Sequence, residues 1–284
     1  MKTQTAGVLL AFLGYGLYTL GDAAVKAIGS TLDIFEIGFL MMLVASPVML
    51  ASRPGDGGWR AVLHVRQPFL VALRAILATF SGICVVIAFT TIPFAEAFAL
   101  IFLAPTIAAV LSRVFLGEPL EPRTTAAIAL GLVGVLVAIR PGLRELALGH
   151  LAAFAAAFSV GSSLMLLRRL STTERRTTIL GAVALTTLIV NGVLMLPNFR
   201  WPGAGQWLLI VVGGLFDGIA QVILVLATRR AAASRVAATH YSQLVWAVLL
   251  GIIFFAERPD RWMLAGLATI LASGAITLLA TRRP

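Results

Sequence analysis

Several side chains in this sequence can do chemistry that their apolar surroundings do not favour. Tyr15, Thr19 and Asp22 recur at helical spacing in one apolar run, with Tyr18 beside them. Such a stripe can present hydroxyls and one carboxylate to a ligand's ammonium group. Equally, Asp22 can pair with Lys26, four residues on. Asp217 lies in a second run, with Gln221 one turn further and Gly213, Gly214 and Gly218 around it. A carboxylate buried there needs a partner or a proton. A third run offers His240, Tyr241, Gln243 and Trp246, with His240 and Gln243 on one helical face. A histidine titrating near neutrality can carry a coupling proton. Bonded to Asp217 or Gln243, it would instead be a satisfied core residue.

Arg74 falls inside a further apolar run that also holds Ala78, Ser81 and Gly82. Its planar fork can grip a carboxylate, but snorkelling to lipid headgroups is the plainer reading. Ser81 and its small neighbours would leave room for a cavity. Phe98 and Phe102 stand one turn apart, after Glu96 and before Pro105. Pro105 removes a helical hydrogen bond and clashes with the preceding turn, so a kink is expected there, freeing the carbonyl of Ile101. The kink would serve either as a hinge or as a packing feature. Phe154, Phe158 and Ser162 share one face, with Ser159 adjacent. An aromatic stripe of that kind more often faces lipid or packs than binds, which makes Phe158 and Ser162 secondary candidates.

The elements that hold these residues follow from composition. Of 284 residues, 60% are hydrophobic and 12% charged, and the mean hydropathy is +0.98. A soluble domain carries about 25% charged residues, so a soluble enzyme, a disordered chain and a disulfide scaffold are excluded. The lone Cys84 excludes an internal disulfide and a cysteine metal site. A bilayer core takes roughly 20 apolar residues per helix. Apolar runs at 5–26, 34–52, 68–91, 94–116, 123–140, 148–167, 177–197, 205–228, 234–255 and 261–280 predict ten transmembrane helices. With the N-terminus inside, fifteen lysines and arginines fall in cytoplasmic segments and six on the opposite side. That bias predicts cytoplasmic N- and C-termini. The first run is too long for a signal peptide, with a single Lys2 before it and no convincing cleavage site.

The two halves resemble one another. Ala104-Pro105 through Phe115-Leu116-Gly117-Glu118-Pro119 overlays Gln243-Leu244 through Phe254-Phe255-Ala256-Glu257-Arg258, and a glycine-bearing run follows each junction. With five runs per half, the second copy must enter the membrane inverted, as in many transporters. The expected fold is an all-α membrane protein of ten helices in two inverted five-helix repeats, 1–141 and 142–284. The doubled junction in a ten-span frame resembles the EamA-type transporters of the drug/metabolite transporter superfamily. Within it, the YddG-like bacterial amino-acid exporters are the most similar group. The second junction departs from the pattern, with Ala256 in place of glycine and no proline matching Pro105.

That resemblance implies an inner-membrane carrier exporting small metabolites, amino acids foremost, by alternating access through a central cavity. Uptake or exchange of a nucleotide-like metabolite such as S-adenosylmethionine is the alternative. On this reading Tyr15, Tyr18, Ser81, Phe98, Phe102, Phe158, Ser162, Gln221, His240, Tyr241, Gln243 and Trp246 contact substrate. Pro105, Asp217, Asp22 and Arg74 serve coupling or gating. No zinc-protease motif, aspartyl G-x-G-D signature or nucleotide-binding loop occurs, so no enzyme, cofactor or metal is expected, and no nucleic acid. Protons are a candidate coupling partner, and a monomer or weak homodimer is expected. The fifth and tenth runs, apolar and rich in glycine and alanine, suit peripheral packing or dimer contact.

Overall fold

The structure, a computed structural model, describes residues 2–51, 65–117, 122–140, 146–170, 173–230 and 239–280. Among these no strand occurs, and each predicted span overlaps a helical stretch, with 52 and 234–238 of those spans outside the described residues. In chain order they are α1 (Lys2–Ile28), α2 (Ile34–Ala51), α3 (Pro68–Thr91), α4 (Phe94–Ile101), α5 (Ala104–Leu116) and α6 (Pro122–Ile139). Then follow α7 (Leu148–Leu170), α8 (Arg176–Met195), α9 (Ala204–Arg230), α10 (Ser242–Phe255) and α11 (Arg261–Ala280). Among the described residues, six stretches are long and apolar enough to cross a membrane, and four more are apolar but shorter. Large apolar side chains such as Phe69, Leu185, Ile189 and Val193 are exposed on the outside. Helices that satisfy their own backbone groups while turning leucine and phenylalanine outward suit hydrocarbon. The chain is a multi-pass membrane protein.

Because lipid gives helices no hydrophobic reason to associate, close backbone approach must hold them together. α9 lies along α1 and α2, α3 along α7 and α8, and α6 along α11. Gly213, Gly214 and Gly218 let α9 settle on Met41, Val44 and Val48 of α2, where an added Cβ would come within 2.9 Å of a neighbouring atom. Gly134 and Gly266 bring α6 and α11 together at backbone distance, so the fifth and tenth runs pack on each other.

The fourth run is broken, as expected, but the break falls at Phe102 and Leu103 rather than at Pro105 itself. Proline clashes with the turn before it, so the disturbance appears upstream. Leu103 N–H bonds to Leu100 O in a tightened turn, and regular bonding resumes from Ile107 N–H to Leu103 O. The two junctions also match in part. Gly117 ends α5 at φ +70° and Ala256 ends α10 at φ +52°, both left-handed. For alanine that conformation costs about 1 kcal/mol. Glu118, Pro119, Leu120 and Glu121 lie outside the described residues.

Candidate functional site

Two helices lying side by side, α1 and α9, bring the sequence's two suspicious carboxylates into one neighbourhood. Asp22 and Asp217 lie near enough to interact electrostatically, and Tyr18 lies close to both. The Tyr18 hydroxyl donates to Gln221 Oε1, tying α1 to α9. Asp217 rests against the bare backbone of Gly21, and its Oδ1 has no hydrogen-bond partner. Tyr15, Tyr18, Asp22, Asp217, Gln221 and His240 are each only partly accessible. Tyr18, Asp22, Asp217 and His240 nevertheless lie in densely packed surroundings, and this neighbourhood is the candidate substrate site.

Aromatic rings form the opposite wall. The His240 ring stacks on Tyr15 at 4.8 Å and lies 4.9 Å from Phe102, which is 5.5 Å from Tyr241 and 6.3 Å from Phe98. Gln243 lies close enough to the His240 ring to interact with it. The Tyr241 ring occupies the space beside Gly274 of α11, and Trp246 lies over Gly16 of α1 with its Nε1 unpartnered. Phe98, Phe102 and Gln243 are buried. α1, α4, α9 and α10 thus converge on one aromatic and acidic neighbourhood.

At one end of this region residues from both halves of the chain meet. The Lys26 ammonium donates to Ile92 O at 2.9 Å and Phe89 O at 3.2 Å, and lies 3.1 Å from Glu257 Oε1. Asp22 is therefore not its partner, contrary to the i to i+4 expectation. Glu257 in turn accepts the Phe94 N–H at 2.8 and 3.0 Å, capping the first turn of α4. The Phe94 and Phe255 rings flank the ammonium at 6.0 and 5.3 Å. Phe89, Phe94 and Phe98 pack together behind it, with centroids 4.9 to 5.3 Å apart. Nearby, His150 Nε2 lies 3.2 Å from Glu96, and Arg140 pairs with Asp260. At this end α4 packs on α10, whereas among the described residues α5 has no substantial contact with α10.

A profile of the EamA-like transporter family matches residues 5–140 and again 147–279. This chain belongs to the EamA-like transporter family. Among its relatives, the riboflavin transporter of Rhizobium johnstonii is 28% identical over 75% of this chain and 71% of its own. The pseudopaline exporter CntI of Pseudomonas aeruginosa is 25% identical over 98% of this chain and 97% of its own. The S-adenosylmethionine uptake transporter of Rickettsia felis is 23% identical over 95% and 92%. A crystal structure shares the fold with a TM-score of 0.71 at 23% identity, over 99% of both chains. The protein is a transporter and not an enzyme.

The remaining candidates of this EamA-like transporter lie elsewhere. Arg74 reaches Ile179 O of α8 at 3.4 Å and leaves its Nε unpartnered. Ser81, two turns further along that face, is buried, and its neighbour Gly82 has open space where a side chain would stand. Phe158 is half exposed on the Leu151, Phe154, Phe158 stripe, away from the α7 residues packed on α3 and α5, and the Ser162 hydroxyl donates back to Phe158 O. Lys26, Phe89 and Phe94 were missing from the sequence-derived candidates. The available signal was Pro93, which has no N–H to offer the Phe89 carbonyl four residues earlier.

Proposed function

We propose that this transporter is a ten-span carrier of two inverted repeats, 1–141 and 142–284, which exports small metabolites by alternating access, with amino acids or similar zwitterions as cargo. The repeat is supported by the doubled family match and by the two left-handed junctions. It is supported too by the packing, because exchanging corresponding helices turns the α1–α9 pair into the α7–α3 pair. The observation that carries the reading is the contrast along the two broken or paired helices. α4 meets α10 at the Lys26 end, while α5 stands apart from α10 at the other. A cavity sealed at one end by residues from both repeats is what a carrier paused in one of its two states requires.

The cavity's chemistry favours a substrate with a cationic group. Asp22 and Asp217 supply negative charge, and Tyr15, His240 and Phe102 supply ring faces suited to an ammonium or a planar group. Tyr18, Gln221 and Gln243 supply hydrogen bonds, and Arg74 is the available partner for a carboxylate. Pro105 with the Phe102–Leu103 break serves as the hinge. Asp217 and His240 are the groups through which protons would couple to transport. If Asp217→Asn and His240→Ala left the pH dependence of flux unchanged, that coupling would be discarded.

The second reading is uptake or exchange of a nucleotide-like metabolite. It is favoured by the relative named for S-adenosylmethionine uptake, a cation with an aromatic base. We place the protein in a bacterial cytoplasmic membrane with both termini inside, on the fifteen-to-six charge bias, as a monomer or weak homodimer. Flux of labelled amino acids into proteoliposomes, beside a nucleoside and S-adenosylmethionine panel, tests the cargo.

A further inference from the structure

The closed end holds more than an ion pair. An alkylammonium group has three N–H donors and no acceptor. Lys26 Nζ has three acceptors at 2.9 to 3.2 Å, namely Ile92 O, Phe89 O and Glu257 Oε1. The carbonyls are available for a reason written in the sequence. α3 ends at Thr91, leaving its last carbonyls without partners, and Pro93 cannot donate to Phe89 O. These carbonyls also form the negative pole of the α3 dipole, while Glu257 sits at the positive pole of α4. Glu257 is itself held in place, since its N–H bonds to Gly251 O and a side chain at Gly251 would stand 2.7 Å from Oε2. Phe94 and Phe255 close the sides. Both charged side chains are nearly buried, at 14% and 13% exposure.

We propose that Ile92 O, Phe89 O, Glu257, Phe94 and Phe255 form a primary-ammonium site, filled in the closed state by the protein's own Lys26, and that it receives a departing substrate's ammonium group when α1 swings away. This rests on the carrier reading, and it gives the cargo a defining feature, an R–NH3+ group. Lys26 acts as a tethered competitor. While it is seated, α1 is fixed to α3, α4 and α10 and the end stays shut. An ammonium arriving from the cavity can take the same three acceptors, releasing Lys26 and with it α1. A quaternary ammonium, which has no N–H to give the carbonyls, cannot.

The test measures the gate directly and needs no transported substrate. Spin labels are placed at the exposed positions Ser30→Cys and Arg258→Cys in a Cys84→Ser background, and their separation is read in the reconstituted protein. The unaltered gate should give one short distance. Lys26→Ala should move the population to longer distances, from an open minority of about 0.1–10% to the majority. In the unaltered protein methylammonium should lengthen the distance in a saturable way, and tetramethylammonium should not. Glu257→Gln and Lys26→Met, which keeps the apolar stem in place, should open the gate with no amine present. An unchanged distance in Lys26→Ala and Lys26→Met, or equal opening by both amines, overturns the proposal. Either result leaves the carrier reading standing, because only flux can remove that.

Discussion

Lys26 and Glu257, from opposite halves of the chain, meet at 3.1 Å with the carboxylate also capping α4 through Phe94 N–H. A positive side chain at the end of one helix and a negative one at the start of another are thereby neutralised in a single contact. Removing one partner of a buried pair costs about 3–5 kcal/mol. Lys26→Met and Glu257→Gln should each lower the melting temperature of the purified protein. The exchanged pair, Lys26→Glu with Glu257→Lys, should not recover it. A carboxylate at position 26 would face Phe89 O and Ile92 O, and a lysine at 257 would face Phe94 N–H. Full recovery by the exchange would reduce the cage to a simple ion pair.

Pro93→Ala restores an N–H four residues after Phe89. It should bond to Phe89 O and take one acceptor from Lys26, and a hydrogen bond to a charged group contributes about 1.5–3 kcal/mol. The Ser30 to Arg258 distance distribution should gain a longer component while folding is preserved. An unchanged distribution would mean that Phe89 O contributes nothing to closure.

Gly21→Ala places a methyl group on the Asp217 carboxylate, which must then move. Binding of cationic ligands should weaken about tenfold, the equivalent of 1.4 kcal/mol, with membrane insertion intact. Gly205→Ala, where a side chain meets nothing within 4 Å, should be neutral. Equal affinities in both variants, read by ligand titration, would remove Asp217 from the binding region.

Pro105→Ala lets α4 and α5 join into one helix by restoring the bond to Ile101 O. Turnover should slow more than binding weakens, seen as a fall in maximal flux at nearly constant half-saturation. Equal kinetics would return the break at Phe102 and Leu103 to a packing role.

The helices were legible because long apolar runs leave little choice in a bilayer, and Asp22 and Asp217 stood out for the same reason. What the sequence hid was distance along the chain. Lys26 has a plausible partner four residues away in Asp22, while its actual partners lie in the α3–α4 turn and beyond α10. Glu257 was visible as a junction residue repeated from Glu118, but nothing local says that it caps α4. Pro105 announced a break, and the tightened Leu103 turn placed it upstream. Ser81 and Ser162 were read from helical spacing alone, and the structure buries Ser81 and turns the Ser162 hydroxyl back onto its own helix.

The central claim is transport by a cavity that opens to one side at a time. Its most direct test is flux of labelled amino acids in proteoliposomes, with the Glu257→Gln variant beside the unaltered protein. Saturable flux that becomes slower or uncoupled when the Lys26 end cannot close is the predicted result. No saturable flux of amino acids, nucleosides or S-adenosylmethionine, or identical flux with the gate permanently open, would contradict it.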